Sequence, residues 1–222
     1  MKTNRSDNIK LSQEIFIALR DRIIHLDYPP ETVLSEKELC AEFNVSRTPL
    51  REAILKLEEM NLVQSIPRYG TYVTHIDNKE LRDTYEAKIN LEMLAGSLAA
   101  QRITEDGLAE LEQLSQEVVQ SFHEGNVKEM FKCDFQFHEA IWRASRNEVI
   151  VGILISLHAR CLRFCMATIP EADWDMLDAE QFGNIFEAIK SRDSKKVSTL
   201  LAAHNQKFID YMKNSSFEVG KQ

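Results

Sequence analysis

Hydrophobic residues near the N-terminus recur at helical spacing. The stripe runs from Leu11 to Leu26, and the sequence Tyr28-Pro29-Pro30 ends the helix because proline cannot continue it. Ser35 and Glu38 then have the Ser-x-x-Glu spacing of a capping box, in which the hydroxyl and the carboxylate satisfy free backbone amides at a helix start. We therefore predict one helix over the first stripe and a second helix over about 35–43.

A third helix and a hairpin follow in the pattern. Ser46-Arg47-Thr48-Pro49 indicates a helix start, because Ser and Thr cap well and Pro is tolerated in the first turn, and the apolar spacing continues to about Met60. Two β-rich runs, 62–66 and 71–76, flank the turn sequence Pro67-Arg68-Tyr69-Gly70, which predicts a hairpin. This order of elements is that of a winged helix-turn-helix domain, which we assign to residues 1–76.

Beyond residue 77 the strand patterns end and long amphipathic stretches follow. Breaks at Thr104, Gly125-Asn126, Asn147, Pro170 and Ser194 divide them into segments. The predicted helices lie near 79–102, 105–123, 127–144, 148–168, 177–192 and 195–213. The sequence thus predicts a mainly α protein, with an all-α bundle of six or seven helices in residues 77–222 joined to the first domain by a short linker.

Composition favours a cytoplasmic protein without a membrane span. The chain of 222 residues is 28% charged and 44% hydrophobic, its start lacks the apolar core of a signal peptide, and we expect no membrane partner. Residues 1–76 contain ten Lys and Arg against eleven Asp and Glu, so most of the net charge of −8 belongs to the remainder. An overall acidic chain can still bind DNA when its cations are placed on the contact face.

The start of the third predicted helix has the chemistry of a DNA-reading surface. Arg47, Thr48 and Arg51 fall on or near the side opposite its apolar stripe, where arginine can pair with guanine and a hydroxyl can hold a phosphate. Lys37 and the wing residues Arg68 and Tyr69 are suited to backbone contacts. The alternative is that these are solvated charges on a surface helix.

The segment 43–54, Phe-Asn-Val-Ser-Arg-Thr-Pro-Leu-Arg-Glu-Ala-Ile, resembles the signature of the GntR family of bacterial regulators. Leu34-Ser35-Glu36-Lys37-Glu38-Leu39, Asn61-Leu62-Val63 and Gly70 continue the match. The resemblance implies a homodimer that reads a palindromic operator in double-stranded DNA. It also implies that the following residues contact the DNA: Lys37, Arg47, Thr48, Arg51, Arg68, Tyr69 and Gly70. At the position of Lys37, many relatives have arginine.

Asp134 and His138 lie four residues apart, hence on one helix face, and such a pair can chelate a divalent cation. A buried histidine paired with a carboxylate is the alternative. Residues 79–213 resemble the FadR-type ligand-binding domain, the FCD domain, on segments such as 90–95 and 137–141. That resemblance implies a divalent metal of the Zn, Ni or Mn class held by Asp134, His138 and His204, while the fourth ligand position falls on Phe182, which cannot coordinate a metal.

Metal-bearing relatives typically bind carboxylic acids, and the resemblance implies a small-molecule effector of this kind. Lys88 stands where relatives usually have arginine, and Arg160 and Arg163 are further candidates for pairing with the effector. Phe182 adds apolar surface, which allows a larger or more apolar effector if no metal is present. His158 could approach the same cavity, although ordinary packing is its alternative.

These features predict a transcriptional regulator whose operator affinity is controlled by a small metabolite. The main rival is a metal-dependent hydrolase centred on Asp134, His138 and His204, but no general base, nucleophile motif or glycine-rich phosphate loop accompanies them. A DNA-binding protein without a sensing cavity is the third possibility.

Overall fold

The computed structural model describes residues 5–169 and 178–214. These residues form two compact units. The first contains the described residues up to Asp77 together with Leu162–Ala167, and the second contains Asn78–Cys161 and the described residues from Thr168 onward.

The first unit is a small helical domain with a three-stranded sheet. Its elements are α1 (Arg5–Ile24), β1 (Val33–Leu34), α2 (Glu36–Glu42), α3 (Arg47–Glu59), β2 (Val63–Ile66) and β3 (Gly70–Val73). The sheet order is β1-β3-β2, with both pairings antiparallel. Helix α1 packs on α3, and the buried side chains of Leu19, Leu50 and Leu57 belong to the resulting core.

Local sequence explains the tight connection between α2 and α3. The Ser35 hydroxyl caps α2 by accepting a hydrogen bond from the Glu38 amide. The helix ends at Phe43, after which Asn44 takes a positive φ of 52°, a conformation that asparagine tolerates better than most residues. Ser46 is extended and precedes α3, so the chain reverses within a few residues and α3 starts at the surface.

The second unit is all α in its described residues. It contains α4 (Asn78–Arg102), α5 (Glu105–His123), α6 (Val127–Ala144), most of α7 (Glu148–Thr168), α8 (Glu180–Lys190) and α9 (Ser194–Asn214). Helix α4 packs mainly on α9, and α5 packs on α6. The close approach of α4 to α9 depends on Gly96, since a Cβ there would clash with the Leu201 side chain.

The predicted fold class is confirmed, with differences at the element ends. The predicted second-domain helices agree closely with α4 to α9, and residue 177, the predicted start of α8, lies outside the described residues. Helix α1 begins at Arg5 and not at Leu11, because residues 5–10 are too polar to show an apolar stripe. The sequence analysis missed β1, whose two residues pair with Tyr72 and Thr71 of β3.

Helix α7 is the most apolar long helix among the described residues. By length and hydropathy it is the one described helix that could cross a membrane, and 61% of its most apolar window is buried inside the protein. A mostly buried helix of this kind is typical of the core of a soluble protein.

Candidate functional site

The N-terminal turn of α3 presents a cluster of polar side chains to solvent. Arg47, Thr48 and Arg51 are exposed, while Pro49 and Leu50 between them are buried. The helix therefore anchors itself through its apolar stripe and directs the other side outward. The positions of these three residues at a free helix start agree with what a major-groove reader requires.

Arg51 is held in place by Glu36 of α2. The guanidinium donates from Nε to Glu36 Oε1 (2.8 Å) and from Nη2 to Glu36 Oε2 (3.0 Å). This hydrogen bond lowers the pKa of the Glu36 carboxyl below its usual value. Two parallel bonds fix the plane of the guanidinium, so Arg51 is pre-oriented although its side chain is 59% exposed.

The remaining predicted DNA contacts lie on α2 and on the hairpin of β2 and β3. Lys37 is exposed in the first turn of α2. In the turn of the hairpin, Arg68 and Gly70 have positive φ angles of 70° and 116°, and Tyr69 is 75% exposed. The hydroxyl of Tyr72 donates to the carbonyl of Tyr69 (2.8 Å), which ties the turn to its own strand.

A separate cluster of buried polar side chains lies in the second unit. Asp134 and His138 of α6 and His204 of α9 have ligand atoms that all lie within 4.8 Å of one another. His138 Nε2 is 3.3 Å from His204 Nε2 and 3.7 Å from Asp134 Oδ1. The structure therefore brings together the three residues that the sequence analysis singled out as metal ligands.

Each of these three residues contacts one further polar side chain. His158 Nε2 of α7 is 2.9 Å from Asp134 Oδ2, and His204 Nδ1 is 3.2 Å from Gln181 Oε1. His138 Nδ1 lies 3.0 Å from Glu92 Oε1, although the ring is not aligned for a straight hydrogen bond. Such outer partners fix the orientation of side chains that bind metals.

Glu92 of α4 is itself part of a buried network. Lys88 Nζ donates to Glu92 Oε2 (2.9 Å) and to Asn205 Oδ1 (2.6 Å). Asn205 Nδ2 and Trp142 Nε1 both donate to the Glu92 carboxylate. Although burial by itself would raise the pKa of Glu92, the charge of Lys88 holds it well below its usual value. The carboxylate is thereby ionised inside the bundle, and the ammonium of Lys88 compensates its charge.

Burial and mutual charge interactions set the protonation of the cluster. Burial would raise the pKa of Asp134, but the charge of His138 and the hydrogen bond from His158 lower it to about 2. Burial lowers the pKa of His204 to about 3 and that of His158 to about 4. Near neutral pH the site thus combines an ionised carboxylate with neutral His158 and His204, and neutral imidazole is the form that binds metals.

A pocket of about 430 Å³, its opening included, adjoins this cluster. Asp134 and His204 line it, and Asp178 and Lys207, which form an ion pair (2.9 Å), line it as well. Most of the remaining wall is apolar, with four phenylalanines: Phe122, Phe131, Phe182 and Phe208. The chemistry of this wall suits a ligand with an apolar body and a polar group directed at the cluster.

Of the four residues predicted to bind an effector, Phe182 lines this pocket. Lys88 is paired with Glu92 and Asn205 as described above, and Arg160 Nη1 donates to Glu80 (2.7 Å). Arg163 belongs to the first unit, where it donates to Thr74 Oγ1 (3.0 Å) and to nearby backbone carbonyls. The structure does not bring these three cations to the pocket wall.

Sequence reasoning did not identify Glu92 or Gln181 as partners of the cluster. Glu92 lies four residues after Lys88, so the spacing on one helix face could have indicated the ion pair. Gln181 directly precedes Phe182 at the start of α8 and carries no such signal.

Comparison with known proteins agrees with both units. Residues 83–207 match the model of the FCD domain, and residues 11–73 match that of the bacterial regulatory proteins of the gntR family. The HTH-type transcriptional repressor RspR of Escherichia coli strain K12 is 29% identical over 206 residues, which cover 93% of this chain and 90% of RspR. The Nta operon transcriptional regulator of Aminobacter aminovorans is 31% identical over 185 residues, covering 82% and 85%.

The solved structure of Escherichia coli McbR/YncC has a TM-score of 0.80 with this chain at 23% identity, covering 92% of this chain and 99% of that one. At this level of identity, the likeness shows the fold. It extends across both units of the chain.

Proposed function

Because the chain belongs to the GntR family of bacterial transcriptional regulators and carries an FCD domain, we propose that it acts as a homodimer in the cytoplasm. In this proposal the two copies bind a palindromic operator in double-stranded DNA, and a carboxylic acid with an apolar body controls the affinity for that operator. Relatives of this family are DNA-binding regulators and not enzymes, so the metal-dependent hydrolase is set aside.

We assign DNA reading to the start of α3. Arg47 and Arg51 would contact base edges in the major groove, with Thr48 on a phosphate, because long cationic side chains at a free helix end reach both. Lys37, Arg68 and Tyr69 would contact the backbone around that groove, and Gly70 would allow the wing to approach it closely. The exposure of all these residues in the first unit supports the assignment.

The buried cluster fits a divalent cation. Two nitrogens that are each about 2.0–2.1 Å from one tetrahedral ion are about 3.3–3.4 Å apart, and His138 Nε2 and His204 Nε2 are 3.3 Å apart. Asp134 Oδ1 adds an oxygen donor beside them. A cation of the Zn, Ni or Mn class bound here would supply a Lewis acid with coordination positions left for a carboxylate. Phe182, which cannot donate, faces the same pocket.

The residues of the pocket wall determine which carboxylic acids the site favours. The four phenylalanines of the wall favour an alkyl or aromatic body over a compact hydroxy acid, because a polar body would lose its water there without new hydrogen bonds. An acid that enters would contact α6, α8 and α9, whose residues line the pocket.

The response must reach the DNA-reading helix through the chain. Four residues separate the end of β3 at Val73 from the start of α4 at Asn78. A movement of the bundle helices that reaches α4 would therefore act on the wing over a short covalent link. Since two half-sites lie about one helical turn apart, a small change in the angle between two recognition helices weakens simultaneous docking.

The observation that carries the proposal is the pair of histidine nitrogens facing each other beside Asp134 at an apolar pocket. The test is a thermal-shift screen of the full chain with octanoate, phenylacetate, benzoate, citrate and gluconate, in EDTA or with Zn²⁺, Ni²⁺ or Mn²⁺. We expect metal-dependent stabilisation by the apolar acids, and its loss in the His204→Gln variant, with His123→Gln as the exposed-histidine control. Stabilisation by none of the acids under any condition would contradict a sensing pocket and favour a purely DNA-binding role.

A further inference from the structure

The imidazole of His158 contacts the carboxylate of the metal cluster from a third helix. Its Nε2 lies 2.9 Å from Asp134 Oδ2, whereas the other oxygen, Oδ1, is the one near His138 Nε2. We propose that His158 is a positioning residue for cation binding, which holds Asp134 so that Oδ1 faces the two histidine nitrogens. This inference rests on the proposed function of the cluster.

The contact between His158 and Asp134 shows which of the two groups carries the hydrogen. An ionised carboxylate only accepts hydrogen bonds, so the nitrogen facing it at 2.9 Å carries the hydrogen. A nitrogen that carries a hydrogen has no lone pair for a cation. His158 therefore orients the carboxylate through Nε2 and does not bind the ion through it, while its Nδ1 is buried without a hydrogen-bond partner in the described residues.

Neighbouring rings fix the orientation of His158. Phe135 and Trp142 meet it edge-on, each with a centroid distance of 5.2 Å, and the His138 ring lies at 4.8 Å. His158 is 3% exposed, so neither water nor rotation can readily replace its hydrogen bond. In the part of the chain that the structure describes, no second side chain hydrogen-bonds to the Asp134 carboxylate.

The bond from His158 should affect the affinity for the cation, because Asp134 supplies one of only three metal-binding atoms in the described cluster. Without the bond from His158, the carboxylate could turn its oxygens away from the position between His138 and His204. Removing an outer partner of a metal ligand typically weakens metal binding by about 10- to 100-fold. A side chain that still donates an N–H from this position should preserve most of that affinity.

The experiment compares His158→Gln, which retains an N–H donor, with His158→Leu, which has none. Zn²⁺ affinity is measured on the full chain by competition with a chelator, and Co²⁺ absorption reports the ligand set. The packing control is Val151→Ala, which removes part of a buried side chain of α7 seven residues before His158. Circular dichroism checks that each variant is folded.

We expect Zn²⁺ to bind about 10- to 100-fold more weakly to the His158→Leu variant, and within about threefold of wild type to the His158→Gln and Val151→Ala variants. The Co²⁺ spectrum of the Gln variant should equal that of wild type. If the His158→Leu variant binds Zn²⁺ as tightly as wild type, the positioning role is overturned while the proposed metal site stands. The same holds if both His158 variants lose Zn²⁺ affinity and their Co²⁺ spectra lack one nitrogen donor, because His158 would then be a ligand itself. A wild-type protein that binds neither ion would overturn the proposed metal site as well.

Discussion

Lowering the pH from 7.5 to 5.5 should destabilise the helical domain of the metal-free protein. His158 and His204 are buried in their neutral form, with pKa values of about 4 and about 3 in the folded state. In the unfolded chain both would have a pKa near 6.5. Between these values the unfolded state binds more protons, so the free energy of unfolding must fall as the pH falls below about 6.5.

The size of the effect follows from these pKa values. At pH 5.5 an unfolded imidazole is mostly protonated and the folded one is not, which favours unfolding by about 1.4 kcal/mol for each histidine. At pH 7.5 the same contribution is below about 0.1 kcal/mol. Across this pH range, the two residues together should therefore lower the free energy of unfolding by about 2.7 kcal/mol.

The assay is denaturant unfolding of the full chain in EDTA, followed by tryptophan fluorescence. Both tryptophans, Trp142 and Trp174, lie in residues 78–222, so the signal reports that domain. Between pH 7.5 and 5.5, the free energy of unfolding of the His204→Gln variant should fall by about 1.4 kcal/mol less than that of wild type. Replacing His123, which is exposed, with Gln should leave the acid sensitivity unchanged. Identical pH dependence in wild type and His204→Gln would refute the reasoning.

Three further predictions concern the pocket, the core and the DNA-reading surface. Phe182→His places an imidazole where the present ring lies 5.4 Å from His204; a chelator competition should show Zn²⁺ affinity raised by about tenfold or more, since affinity follows ligand number. Gly96→Ala should lower the free energy of unfolding by about 1–3 kcal/mol through overpacking against Leu201, and an unchanged denaturation midpoint would count against the close helix approach. Glu36→Gln removes the charge that orients Arg51, so the ratio of specific to non-specific DNA affinity should fall; a ratio equal to that of wild type would show that Arg51 needs no such partner.

The helices of this chain could be predicted closely because their ends carry strong local signals. Thr104 and Asn126 cap α5 and α6 through hydrogen bonds to amides three residues on, and each stands at a predicted break. Strand β1 could not be found in this way. Val33 and Leu34 are too few to show alternation, and their pairing with β3 is a tertiary contact.

The candidate site was predictable in part for a similar reason. Asp134 and His138 are neighbours on one helix turn, so their proximity follows from sequence spacing. The contact of Asp134 with His158 joins α6 to α7, and the contact of His138 with Glu92 joins α6 to α4. Such contacts depend on how the helices pack, which the apolar pattern alone does not specify.

The surroundings of Lys88 depend on helix packing that the resemblance does not describe. Lys88 was predicted to pair with an effector because relatives usually have a cation at this position. In the structure Lys88 is 2% exposed, and the charge of its ammonium is compensated by Glu92 one helical turn away. A buried lysine needs a partner, and Glu92 is one, so the pairing of Lys88 with an effector stays a prediction. Among the described residues that line the pocket, the cation is Lys207.

The central claim is that the exposed start of α3 reads DNA sequence. The most direct measurement is fluorescence anisotropy of the full chain on a palindromic duplex that the wild-type protein has enriched from a random pool. The Arg47→Ala, Arg51→Ala variant should bind this duplex at least about thirtyfold more weakly and lose its preference over a scrambled duplex. The control Lys195→Ala, Lys196→Ala, which removes two exposed cations of α9, should bind as wild type does. A folded arginine variant that retains both affinity and preference would contradict the account.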